Sequence, residues 1–341
     1  MLHVARVSSF PAGPTDSEDT YQSLVTDRMS SQDLIVGIIF LLQTTIGLMG
    51  NFSLLVHFIH FYFSKCRLKS IDLILMHLTI ANFLAILCKG VPKTMAALGW
   101  KDFLSDLGCR LLLYVHRVGR GVSFSSVSLL SVFQAITIST RSSVWAELKV
   151  KVLRCLGFSI FLCWILHMLV NIIFPMYVTG PWKNKSISSY KDYGYCSSVR
   201  NDKTADSLLA ALLMFSDVVP LGLMTWASGS MVFILYRHKQ RVQHLHRNNV
   251  SPRSSPETRA TQTILVLVST FVTLYTLSST FQLLISALHD PSWWVLHTDA
   301  LIGACFATVS PFILMSRDSS VSRFCFAWIR KTKSSSLIRN T

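Results

Sequence analysis

The sequence predicts an all-α membrane protein: a seven-transmembrane-helix bundle with its N-terminus outside, its C-terminus inside and a short amphipathic inner helix. Three observations carry that prediction. Of 341 residues 51% are apolar and only 14% charged, against about 25% charged in an ordinary soluble chain. Seven runs are long and apolar enough to cross the roughly 30 Å hydrocarbon core as helices. And the formal net charge of +15 is gathered in alternate connecting segments, where a bilayer-spanning chain keeps its basic residues.

The spans run in order from Leu34 to Ile59, Ile71 to Cys88, Leu111 to Ile138, Cys155 to Met176, Leu208 to Tyr236, Ile264 to Leu288 and Leu296 to Met315. Together they hold about half the chain. None shows the short alternating segments of a membrane β-barrel. Arg117 and Arg120 interrupt the first half of the third. The sixth and seventh are parted by a turn-like His289-Asp290-Pro291-Ser292, with Trp293 and Trp294 as interfacial anchors. The first 33 residues lack the continuous apolar core of a signal peptide, so the first span is expected to act as signal-anchor. Met29, just before it, offers a second start site.

Seven spans put the termini on opposite sides. With the N-terminus outside, the inner segments 61–70, 139–154, 237–260 and 316–341 hold three, four, six and six Lys or Arg, 19 of the 32 in the chain. The excess of basic residues in cytoplasmic loops favours that orientation. The chain then divides into an extracellular N-terminus (1–33), a seven-helix receptor domain (34–315) and a cytoplasmic tail (316–341). In the tail Val321, Phe324, Cys325 and Trp328 keep a helical i, i+3, i+4, i+7 spacing, the pattern of a helix lying on the membrane. Cys325 is a candidate for palmitate.

Sidedness sorts the eight cysteines. Six fall in spans, at their ends or inside. Cys109, at the outer end of the third span, and Cys196, in the outer loop Tyr177 to Ala205, face an oxidising compartment. A disulfide is the natural reading; two unpaired thiols are the alternative. The same 29-residue loop carries the acceptor sequon Asn184-Lys-Ser186.

The landmarks sharpen the class. Gly50-Asn51, Trp164, Pro220 and Ser310-Pro311 follow in the order of rhodopsin-like receptors, and Cys109 precedes Gln134 by 25 residues, as the outer Cys precedes the inner Arg of Asp-Arg-Tyr there. The departures are equally informative. The Asp-Arg-Tyr position reads Phe133-Gln134-Ala135, the second-span acid is Asn82, the sixth-span Trp and Pro positions are Tyr275 and Leu277, and the seventh-span tyrosine is Leu314. With these losses the chain resembles the vomeronasal type-1 receptors, the pheromone-receptor family. Matching stretches include Lys89-Gly-Val-Pro-Lys-Thr-Met-Ala-Ala97, His116-Arg-Val-Gly-Arg-Gly-Val-Ser123, Leu130-Ser-Val-Phe-Gln-Ala-Ile136, Tyr193-Gly-Tyr-Cys196 and Arg259-Ala-Thr-Gln-Thr263. The resemblance runs from about residue 30 to the inner tail. It implies a plasma-membrane chemosensory receptor that binds a small odorant or pheromone and activates a heterotrimeric G protein of the Gi/o-like class.

The ligand candidates lie on two spans. His116 and Arg120 share a face of the third, one turn apart, and Arg117 overlaps it. At about 1.5 Å per residue Arg120 lies roughly 16 Å below Cys109, near mid-membrane. An arginine there needs the bundle interior or a partner. One reading is contact with an anionic or acceptor-rich ligand. The other is an internal ion pair, with Asp217 or Asp299 as the acid, or, for Arg117, an outward-snorkelling side chain. Snorkelling is the reading for Lys89 and Lys93. Tyr275, Ser279 and Gln282, with Ser278, put polar groups on the outer half of the sixth span, the side the resemblance turns to the ligand; hydrogen bonding between helices is the alternative.

On the inner side Gln134 stands where rhodopsin-like receptors carry the arginine of Asp-Arg-Tyr, so G-protein contact would fall to Gln134 and the basic residues Arg237, Lys239 and Arg241. The last three could equally hold anionic lipid headgroups. Asn82 lacks the charge a hard cation seeks, so no metal or sodium site is expected, and no cofactor is implied. Competing functions are a bitter-taste-like or other orphan receptor of the same class and an anion transporter along Arg117 and Arg120. No inverted repeats of the kind common in transporters are visible. No enzyme motif stands out, and small basic clusters beside a membrane do not make a nucleic-acid face.

Overall fold

Backbone polar groups inside a bilayer have no water to bond, so long apolar runs must satisfy them internally as helices. That is what the computed structural model shows. It describes residues 16–63, 70–100, 103–139, 143–172, 175, 178–179, 190–192, 196–199, 218–234, 236–237, 240, 256–287 and 293–317, some of them by backbone alone. The helices are α1 (Asp16–Phe63), α2 (Ser70–Ala85), a π-helical turn (Ile86–Gly90), α3 (Val91–Ala97), α4 (Asp106–Ile138), α5 (Ser143–Asn171), α6 (Val218–Ile234), α7 (Pro256–Ala287) and α8 (Trp293–Arg317). Among the described residues, five stretches are long and apolar enough to span a membrane: 34–63, 71–97, 106–138, 154–171 and 294–316. Shorter apolar stretches in α6 and α7, 218–234 and 265–278, supply the other two members of the bundle.

Several boundaries differ from the sequence reading. α1 starts at Asp16, not near Leu34, because hydropathy marks only the hydrocarbon-crossing part of a helix. The second span does not stop at Cys88; it runs on through the π turn to Ala97. Pro92 is the cause: it has no N–H for the Cys88 carbonyl and its ring crowds that oxygen. A wider turn just before it accommodates both. Gly99 then reverses the chain at φ +91°, a backbone angle that side chains rarely tolerate. Ser105 caps α4 by accepting from Gly108 N at 3.2 Å, with Asp106 in the first turn.

The loop after α5 was not expected to hold strands, but it carries a small antiparallel sheet, β1 (Val178–Thr179), β3 (Ser197–Val199) and β2 (Tyr190–Asp192) in that order. Val178 pairs with Ser198, and Lys191 pairs with it from the other side. Cys196, just before β3, is bonded to Cys109 near the start of α4, with both residues buried. This is the pairing that sidedness suggested.

Polarity is turned inward. Apolar side chains such as Phe158, Phe161, Trp226 and Leu34 are more than half exposed on the bundle exterior, the surface lipid would cover. Asn51, Asn82, Ser131 and Ser310 are almost wholly buried. Asn51 donates to Gly47 O and Ala307 O, both at 2.8 Å, tying α1 to α8. Asn82 donates to Ser310 Oγ at 2.9 Å and accepts from Ser123 Oγ at 2.6 Å, joining α2, α4 and α8. Two glycines let α4 approach its neighbours: a methyl on Gly119 would lie 2.9 Å from Ala81 O, and one on Gly121 would enter the His167 ring of α5.

Candidate functional site

The site is built on an aromatic floor. Phe124 of α4, 2% exposed, meets Phe271 and Tyr275 of α7 at centroid distances of 4.9 and 4.5 Å. Phe271 meets Phe306 of α8 edge to face at 4.3 Å. Offset and edge-on contacts of this kind add to burial, and they fix Tyr275 parallel to Phe271, 7° between planes. One turn before Phe124 on α4 comes Arg120. Its guanidinium lies over the Tyr275 ring, 5.5 Å from the centroid. A cation over an aromatic face gains about 0.5–1 kcal/mol where exposed and about 2 kcal/mol or more where desolvated. The structure thus brings together two residues that the sequence placed on separate spans.

His116 sits one turn from Arg120, and its Nδ1 is 3.1 Å from Ala85 O. A carbonyl only accepts, so this contact puts the proton on Nδ1 and leaves Nε2 as acceptor. Arg117 turns to α5, where its Nε donates to Asn171 Oδ1 at 3.1 Å. Asn171 Nδ2 donates to His167 O at 2.8 Å, and His167 Nε2 is 2.8 Å from Ser125 Oγ. Tyr114 OH donates to Met168 O at 3.0 Å in the same α4–α5 seam. Asn171 was not singled out from the sequence; a lone amide on an apolar run gives no sign of its partner.

Ser279 and Gln282 lie one and two turns beyond Tyr275 on α7; Asp217 lies outside the described residues. Asp299 of α8 accepts from Ser278 Oγ at 3.4 Å. Lys89, read from the sequence as snorkelling, lies partly buried on the π turn. Lys93 lies over Phe40 of α1, 6.0 Å from the ring centroid. The cations therefore form one group near the disulfide end of the bundle, above the aromatic floor.

At the opposite end Gln134 is buried on α4. Arg237 is exposed, stacked 5.6 Å from the Phe233 centroid. Lys239, Arg241, Asn184, Cys325 and the inner tail helix lie outside the described residues.

Three comparisons bear on this arrangement. The profile of the vomeronasal organ pheromone receptor family matches residues 34–327. Human vomeronasal type-1 receptor 4 is 59% identical over 302 residues, 89% of this chain and all of that protein. Human vomeronasal type-1 receptor 2 is 53% identical over 293 residues, 86% of this chain and 74% of that one. Among solved structures, squid rhodopsin is similar in fold, with a TM-score of 0.65 at 16% identity over 88% of this chain and 87% of that one.

Proposed function

The chain belongs to the vomeronasal organ pheromone receptor family, and from that premise we propose that it binds a small odorant or pheromone and transmits the event to a Gi/o-like heterotrimeric G protein. It is a multi-pass plasma-membrane protein of the G-protein-coupled receptor type, from a receptor family and not an enzyme family. The proposed orientation is N-terminus outside, with 1–33 extracellular, 34–315 the receptor domain and 316–341 cytoplasmic.

The observation that carries the reading is Arg120 on the face of Tyr275. This contact joins α4 to α7 above a packed aromatic floor. A ligand among His116, Arg117, Arg120, Tyr275, Ser279 and Gln282 competes for that cation and changes how the two helices meet. A ligand shifts a helix arrangement only through its different affinity for the two states. Phe124 and Phe271 lie directly beneath, so a displaced Tyr275 is felt down the bundle as repacking. At the other end Gln134, Arg237, Lys239 and Arg241 meet the G protein, with the basic residues also holding lipid headgroups. Gln134 is neutral, so its part is hydrogen bonding. Asn184 is the proposed glycan acceptor and Cys325 the proposed palmitate carrier.

The test is a cell line carrying a G-protein reporter, screened with volatile and anionic odorants. Ligand-dependent reporter activity, absent without the receptor, supports the proposal. A ligand-evoked anion current that needs no G protein contradicts it.

A further inference from the structure

The second span carries one residue more than an uninterrupted α-helix would hold. A π turn loops that residue in, and such turns are rare, occurring mostly as single turns inside α-helices and often at functional sites. In the turn Ile86–Gly90, Ile86 and Cys88 are buried and Leu87 is 39% exposed. Pro92, buried at the start of α3, favours the wide turn from within the span. Two contacts from other helices hold it there. Nδ1 of His116 on α4 donates to the carbonyl of Ala85, the residue just before the turn, at 3.1 Å. Beyond the turn Thr94 Oγ1 donates to Gly90 O at 2.8 Å, so Thr44 of α1 supplies the proton in the buried 3.3 Å contact between the Thr44 and Thr94 hydroxyls. The fit is close: a methyl on Gly90 would lie 2.8 Å from Thr44 Oγ1.

We infer that the π turn is a register switch for the outer part of the second span, and that His116 is the positioning residue that locks it. The inference rests on the proposal that ligand reaches His116, and it adds a moving part to that proposal. In a π turn a carbonyl accepts from the N–H five residues on, in an α-helix from the one four residues on. Closing the turn therefore rotates α3 by one helical position, about 100°, and carries Thr94 away from Thr44. Packed seams of this kind have discrete arrangements and do not deform continuously. The His116 N–H is the part of the lock within reach of ligand. A ligand acceptor that takes it frees the Ala85 carbonyl to close on the N–H four residues on. Binding is then read by α1 and the second span as well as by α4 and α7.

The test is disulfide trapping in the full-length receptor, in membranes of the cells that express it. The trapping pair is Gly37→Cys with Leu98→Cys. A methyl on Gly37 would lie 3.1 Å from Leu98 Cδ2, and Leu98 caps α3, so rotation of α3 parts the pair. Copper phenanthroline is the oxidant, and peptide mass mapping follows the new bond. His116→Leu is expected to slow its formation severalfold, and His116→Asn, which keeps an N–H near the Nδ1 position, to restore the rate. With Leu87 deleted and Pro92→Ala the span is an uninterrupted helix with no turn to close, and His116→Leu then changes nothing. Pro92→Ala alone also slows the bond, and that variant carries the test if His116→Leu does not fold. Wild-type rates in His116→Leu or in Pro92→Ala, or an equal slowing by His116→Leu in the uninterrupted helix, overturn the inference. These rates need neither ligand nor G protein. Unchanged rates in a receptor that an odorant activates refute this inference alone, and the expected rates in a receptor that activates no G protein refute only the signalling proposal.

Discussion

Replacing Gly121 with alanine sets two effects against each other. In a helix interior alanine is favoured over glycine by about 1 kcal/mol, so on propensity alone Gly121→Ala stabilises. The packing argues the other way. The added methyl would sit within the His167 imidazole, 2.7 Å from Cε1 and 2.9 Å from Cγ. His167 is 3% exposed and its ring is bonded to Ser125, so making room for the methyl means leaving that bond and repacking the seam. Overpacking a close-packed seam costs about 1–3 kcal/mol. Losing the buried Ser125–His167 bond costs about 1 kcal/mol more. The net expectation is a loss of about 1–3 kcal/mol, read as a fall in the apparent Tm of the receptor in detergent. Gly157→Ala is the control: its methyl meets nothing within 4 Å, so it is neutral or stabilising. In the double variant Gly121→Ala with His167→Ala the clash disappears, and a coupling of at least about 1 kcal/mol is expected. A Gly121→Ala receptor as stable as wild type, or additive losses in the double variant, refutes the reasoning.

Other predictions follow from the same contacts. Tyr275→Leu removes the ring under Arg120 and lowers stability by about 1–2 kcal/mol, measured as apparent Tm. Cys196→Ser removes the tie between the outer-loop sheet and α4, a separation of 87 residues; a loss of about 2–5 kcal/mol shows as reduced surface labelling of the receptor. Asn82 meets Ser123 and Ser310 as a neutral amide, so wild-type Tm is the same in sodium and choline chloride. Asn82→Asp places a carboxylate between two hydroxyls and makes Tm rise with sodium.

Most of the architecture was legible because a bilayer constrains sequence so strongly. The spans follow from apolar length, and Cys109 and Cys196 pair because they are the two cysteines left on the oxidising side. Arg120 stood out because a mid-membrane arginine demands a reason. Its position over Tyr275 was not legible, since nothing local states which helix face meets which. The π turn Ile86–Gly90, just before Pro92, was not legible either, since apolar length marks a span without stating its helical register. The sheet of Val178–Thr179, Tyr190–Asp192 and Ser197–Val199 is held by strands of two or three residues, too short to show period-2 alternation.

The central claim is that ligand acts through the cation–aromatic contact between α4 and α7. The direct measurement is a concentration–response curve in the G-protein reporter line, for any agonist found by screening, comparing wild type, Arg120→Lys and Arg120→Ala at matched surface expression. The account predicts an intermediate curve for Arg120→Lys and, for Arg120→Ala, a half-maximal concentration raised at least about tenfold, the equivalent of about 1.4 kcal/mol. Superimposable curves for all three receptors would contradict it.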